Sequence, residues 1–84
     1  MANTCIPVRI IAGGKICFRE SAEIVKIAKK YNVVVTIQKD DKIGTSSSIL
    51  SIVGIAIKTG NSVFIAATGD EPEKALNEII HIIQ

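Results

Sequence analysis

The sequence predicts an α+β fold, a four-stranded antiparallel sheet covered on one face by three helices. Three observations carry this. Stretches rich in β-branched residues alternate with stretches whose apolar residues recur at helical spacing, in the order βαββαβα. An Asp40-Asp41 pair joins the second and third strands too tightly for a helical crossover, so those two run antiparallel. The 84 residues suffice for one two-layer domain, residues 1–84, with no internal repeat or linker.

The elements follow in order. Thr4–Ile11 is β-branched and ends at Gly13-Gly14, so it reads as a strand; Pro7 removes a ladder donor and suggests a sheet edge or a bulge. Over residues 19–31, Ile24, Ile27, Ala28 and Tyr31 recur at i, i+3, i+4 and i+7, which defines one helix face. Lys26, Lys29 and Lys30 lie off that face, the last two near the C-terminus where the helix dipole favours cations, and Asn32 is expected as the C-cap. Val33–Lys39 and Lys42–Thr45 form a hairpin about the Asp-Asp turn. In "GTSSSILSIVGIAIKTG" a hydroxyl run precedes an apolar stretch, so Ser48 or a neighbour is expected to cap a short helix over residues 49–55. Residues 62–68 read as the last strand. Gly69-Asp70-Glu71-Pro72 then opens a helix striped by Ala75, Leu76, Ile79, Ile80 and Ile83.

Composition excludes several functions. A net charge of +2, with Arg9 and Arg19 the only arginines and the lysines scattered, gives no basic face for nucleic acid. No apolar run approaches the ~18–20 residues of a membrane span, and the N-terminus lacks the pattern of a secretory signal. Cys5 and Cys17 make no disulfide framework and are expected as reduced thiols of a cytoplasmic protein. No metal-ligand spacing, phosphate-binding glycine loop or nucleophile–base set is present, so no cofactor is expected.

Two residues stand out chemically. Cys17 opens the first helix, where unpaired N–H groups and the dipole favour a thiolate or a bound anion, and Arg19 adds positive charge. Equally, free cysteine is often a small buried apolar residue, and the carboxylate of Glu20 competes with an anion for the same N–H groups. Ser48 precedes an apolar surface of Ile49, Leu50, Ile52 and Val53; phosphorylation there would place negative charge where the helix favours it, whereas plain N-capping is the simpler role. Thr45, Ser46 and Ser47 are competing hydroxyls. His81, between Ile80 and Ile82 in the last helix, has no partner at a meaningful spacing and reads as structural.

The element order, the Cys-x-Arg at the first helix, the serine before a short apolar helix and the run "ATGDEPEKAL" together resemble the HPr family, over nearly the whole chain. HPr is the phosphocarrier of the bacterial phosphoenolpyruvate-dependent sugar phosphotransferase system, and the resemblance implies its open-faced β-sandwich. In the family the first helix opens Gly-Leu/Ile-His-Ala-Arg-Pro, with the histidine carrying the phosphoryl group. Here the run is Lys15-Ile16-Cys17-Phe18-Arg19-Glu20. Ile16 and Arg19 match, while Cys17 replaces the histidine, Phe18 the alanine and Glu20 the proline. The family's Lys-Ser-Ile/Leu-Met-Gly run, whose serine is a regulatory phosphorylation site in many members, is Ser47-Ser48-Ile49-Leu50-Ser51 here. Ala56 stands at a usual glycine, and Gly60 matches.

The resemblance therefore implies a non-enzymatic, histidine-lacking member similar to the Crh-like catabolite-repression proteins. Ser48 would be phosphorylated by HPr kinase/phosphorylase, and the surface around Arg19, Ile49, Leu50, Ile52 and Val53 would dock on a transcriptional regulator. Two alternatives remain: a carrier using Cys17 as phosphocysteine, charged by enzyme I, and a thiol redox switch at Cys17.

Overall fold

The computed structural model describes the backbone of residues 4–84 and the side chains of residues 7–84. Its elements are β1 (Thr4–Ile11), α1 (Phe18–Lys30), β2 (Val33–Lys39), β3 (Lys42–Thr45), α2 (Ile49–Val53), β4 (Ser62–Gly69) and α3 (Pro72–Ile83). All pairings are antiparallel, in the order β1-β4-β2-β3. Pro7 accordingly lies on an edge strand, opposite Ala66 in an unbroken register, so it needs no bulge.

Alternation along the strands sets the two faces of the sheet. Ile10, Val33, Val35, Ile37, Val63, Ile65 and Ala67 point inward and are buried, meeting Ile24 and Ala28 of α1, Ile52 of α2, and Ala75, Leu76, Ile79 and Ile83 of α3. The opposite face is open to solvent and carries Arg9, Val34, Gln38, Ile43 and Phe64, with the Arg9 guanidinium 4.7 Å from the Phe64 ring centre. Both long helices present the apolar stripe expected of them; Ile27, Tyr31 and Ile80 form its half-buried margin.

The helix ends differ slightly from expectation. Tyr31 is the C-cap of α1, and Asn32 lies one residue beyond it at φ +53°, a left-handed position that asparagine tolerates. Asn32 Nδ2 donates to Asp70 Oδ2 at 2.6 Å, and the Asp70 N–H donates to the Asn32 carbonyl at 3.1 Å, tying that turn to the end of β4. α2 stops at Val53, two residues short of the expected end. Ile55 and Ile57 are both buried around an exposed Ala56, a spacing that a continuing helix cannot present to one core.

α1 and α3 are joined by Tyr31, whose hydroxyl donates to Glu78 Oε2, and by Lys30 Nζ, 3.5 Å from the same oxygen. The Tyr31 hydroxyl and then the Lys30 charge hold the Glu78 carboxyl below its ordinary value of 4.5. Because the folded value is the lower one, the stabilisation is complete above the ordinary value and is lost as pH falls through the lowered one. Glu78→Gln, which still accepts from Tyr31 but does not titrate, is expected to flatten the fall in melting temperature between about pH 5 and about pH 3; thermal melts across that range check it.

Candidate functional site

Cys17, the N-cap of α1, is an exposed free thiol, not a buried filler. The residues after it are committed to building the helix start. Ser21, fully buried, donates from both its N–H (3.0 Å) and its hydroxyl (2.9 Å) to the Cys17 carbonyl. Glu20 reaches back, and its Oε1 accepts the Cys17 N–H at 2.9 Å, which is the carboxylate half of a capping box. That bond, then the N–H of Glu20 itself, and more weakly the charge of Arg19, hold the Glu20 carboxyl below its ordinary range. Arg19 is exposed beside it.

Ahead of the helix, the Ile16 N–H donates to the Ile57 carbonyl at 3.1 Å, which pins the approach to Cys17 against the segment following α2. The two segments enclose a groove of about 200 Å³ lined by Cys17, Phe18, Val53 and Ala56, with Lys15 and Lys58 at its rim. Phe18 projects into solvent at 58 % exposure.

Ser48 caps the far end of α2. Its Oγ accepts the Ser51 N–H at 3.3 Å, and it is exposed. Ser51 closes the cap from the other side: its Oγ donates to the Ser48 carbonyl (2.7 Å) and accepts the Thr45 N–H (3.0 Å). Since α2 has five residues, at about 1.5 Å each, Ser48 and the Cys17 groove flank one short helix. Of the competing hydroxyls, Ser46 is buried: its Oγ accepts the Val35 N–H (2.9 Å) and its own N–H donates to the Val35 carbonyl (2.8 Å), so it prolongs the sheet. Ser47 is exposed and within 3.3 Å of the Thr45 hydroxyl.

The apolar docking surface expected over α2 needs one correction. Leu50 is 72 % exposed, and Ile49 and Val53 are half-buried, but Ile52 is fully buried. In so short a helix one residue per turn must face the sheet, and Ile52 is that residue, so it is core and presents nothing to a partner. His81 is exposed, with Nδ1 2.8 Å from the Asn77 carbonyl, so Nδ1 carries the proton of that bond. Among the described residues no three His, Cys, Asp or Glu side chains come together as a metal site, and no helix is long and apolar enough to cross a membrane. The side chain of Cys5 lies outside the described residues.

Two further features belong to the site; the first has no signal in the sequence, and the second has one in the usual glycine that Ala56 replaces. Lys39 Nζ donates to the Ala56 carbonyl at 3.2 Å, bracing the groove wall from the β2–β3 hairpin. Ala56 itself sits at φ +58°, where a Cβ is disfavoured. The exposed side chain has little packing to lose, so Ala56→Gly is expected to stabilise the fold by about 0.5–1 kcal/mol, read as a higher urea midpoint at unchanged slope.

Comparison with known proteins gives a consistent picture. The family model described as "PTS HPr component phosphorylation site" matches residues 7–84. The chain is 33% identical over 61 residues to the phosphocarrier protein HPr of Mycoplasma capricolum, covering 73% of this chain and 68% of that protein. It is 29% identical over 66 residues to the HPr-like protein Crh of Bacillus subtilis, covering 79% and 78%. The crystal structure of a phosphocarrier protein HPr from Bacillus anthracis superposes with a TM-score of 0.83 at 26% identity, covering 96% of this chain and 99% of that one.

Proposed function

The chain belongs to the HPr family of the phosphotransferase system, and we propose that within it this protein is a regulatory member, switched by phosphorylation of Ser48, with Cys17 no longer a phosphoryl carrier. The observation that carries the reading is the contrast between the two ends of α2. At one end an exposed serine oxygen caps the helix beside the exposed Leu50. At the other, a thiol is the N-cap of α1, where the resemblance puts the family's phosphorylated histidine, and a carboxylate holds the backbone N–H of that residue. Imidazole nitrogen forms a phosphoramidate that is readily passed on; a thiol would have to carry the group as S-phosphocysteine instead, and His81 lies on α3, away from the position.

In the reaction, Ser48 Oγ attacks the γ-phosphorus of ATP bound to a kinase of the HPr kinase/phosphorylase type. The hydroxyl proton passes to a base on the kinase and ADP leaves. The product carries roughly 1.5–2 negative charges at the start of α2, where the helix amides favour them. That charge, next to Ile49 and the exposed Leu50, with Val53 at the other end of α2 and Arg19 exposed at the start of α1, makes a mixed anionic and apolar surface for a transcriptional regulator in the cytoplasm. Incubation with the kinase and ATP, followed by peptide mass spectrometry, is expected to place one phosphoryl group on Ser48. An unmodified Ser48, with an HPr control labelled in parallel, overturns the reading.

One observation favours a second reading, a carrier or redox role for Cys17: the thiol is exposed. Phosphoenolpyruvate and enzyme I provide the discriminating assay, since a label at Cys17 would establish the carrier.

A further inference from the structure

Glu20 enters the regulatory reading only as the partner of one backbone amide at the α1 entrance. Its carboxylate does more than cap a helix, because the amide it takes at 2.9 Å is that of residue 17, the chemical centre of the site. Any phosphoryl group on residue 17 would seek the same N-terminal amides. It would also meet a fixed negative charge that the Cys17 N–H and Arg19 keep ionised. The other charged groups around the thiol are Lys15, Arg19 and Lys58, and the remaining groove wall, Phe18, Val53 and Ala56, is apolar.

We propose that Glu20 is the specificity-determining residue of position 17: its carboxylate is a built-in anion that occupies the α1 N-terminus and keeps phosphoryl and other anionic groups from the Cys17 thiol, while neutral reagents reach it freely. The proposal rests on the reading that position 17 has left phosphoryl transfer, and it supplies a physical reason for that departure. Where the resemblance puts a phosphorylated histidine, the helix start of this chain holds a carboxylate of its own.

Paired alkylation tests it. Iodoacetate and iodoacetamide react identically at sulfur: the thiolate attacks the methylene carbon and iodide leaves. Dividing one rate by the other cancels thiolate fraction and steric access and leaves the charge of the reagent. Rates are read at Cys17 by peptide mass spectrometry, which keeps Cys5 separate. A unit charge about 6 Å from the charge of an anionic reagent changes its rate by roughly threefold in water. Glu20→Gln, which can still accept the Cys17 N–H, and Glu20→Ala are therefore both expected to raise the iodoacetate-to-iodoacetamide ratio about threefold at low ionic strength. In about 1 M salt, where screening acts within roughly 3 Å, the difference should vanish. A ratio unchanged in both variants overturns the proposal, and so does a rise confined to Glu20→Ala, which would assign the effect to the freed amide and not to charge. Neither result touches Ser48 labelling, which tests the regulatory reading by itself, whereas an enzyme I-dependent label on wild-type Cys17 would overturn both that reading and the proposed exclusion of phosphoryl groups.

Discussion

Gly44→Ala is expected to remove about 3 kcal/mol of folding stability, the largest effect of any single-methyl addition proposed for this chain. Gly44 lies in β3 directly beneath α2. A Cβ there would stand 2.7 Å from Ile55 Cδ1, 2.9 Å from Ile52 Cα and 2.9 Å from the Ser51 carbonyl oxygen. The isoleucine tip could rotate away, but the other two contacts are backbone, so α2 itself must lift. Ile52 and Ile55 are both buried, and lifting α2 draws them partly out of the core. Relief of the clash therefore has its own cost, of the order seen when core side chains lose their contacts. A domain of 84 residues has roughly 4–13 kcal/mol in total, so the variant should melt much earlier and lose part of its cooperativity. Gly14→Ala is the control: an added Cβ there meets nothing within 4 Å, and its chemical-denaturation midpoint should stay close to that of the wild type. Equal midpoints for Gly44→Ala and wild type would mean that α2 is not seated on β3 as described.

This close seat of α2 marks where the sequence stops being legible. The periodicity of Ile24, Ala28 and Ile79 and the alternation through Val33, Val35 and Ile37 are local signals, and the helices and strands they define form where expected. Gly44 reads locally as a glycine in a short strand; its reason is a neighbour seven or more residues away, which no local pattern contains. The same holds for Ile52. Beside Ile49, Leu50 and Val53 it looks like one member of an apolar surface, and only the direction from which the sheet approaches separates core from exterior.

The site was legible to a similar depth. Cys17 and Ser48 were identifiable because helix starts have a recognisable residue chemistry, and Glu20 because a carboxylate three residues past an N-cap can return to it. Ser46 could not be separated from Ser48 in a run of three serines. Its burial follows from pairing with Val35 on another element. Lys39 left no trace at all, since its contact with Ala56 spans two elements whose approach is fixed by the whole core.

Removal of the Ser48 hydroxyl should abolish kinase labelling while leaving the fold nearly intact, and this combination gives the regulatory reading its strictest test. Ser48 Oγ accepts one long bond, 3.3 Å from Ser51 N, so Ser48→Ala is expected to cost about 0.5–1 kcal/mol, the low end for loss of an N-cap. Ser51 Oγ still holds the Thr45 N–H and the carbonyl of residue 48, so α2 keeps its start. Ser47→Ala should label as the wild type does. Ser46→Ala should lose stability, about 1–3 kcal/mol, because the buried Val35 N–H is left unpaired, yet it should still be labelled at Ser48. Residual label on Ser48→Ala, located at Ser47, would move the site by one residue; label at neither would leave Ser48 as the acceptor. Downstream, the phosphorylated protein should bind its regulator through Leu50. That side chain is 72 % exposed, so Leu50→Ala should leave the melting temperature unchanged and weaken binding roughly tenfold, as expected for an apolar anchor. Ile52→Ala should do the reverse, lowering stability by about 2–5 kcal/mol through a core cavity while contributing no contact of its own. If Leu50→Ala binds as tightly as the wild type, the docking surface is not the exposed side of α2, even where Ser48 is phosphorylated.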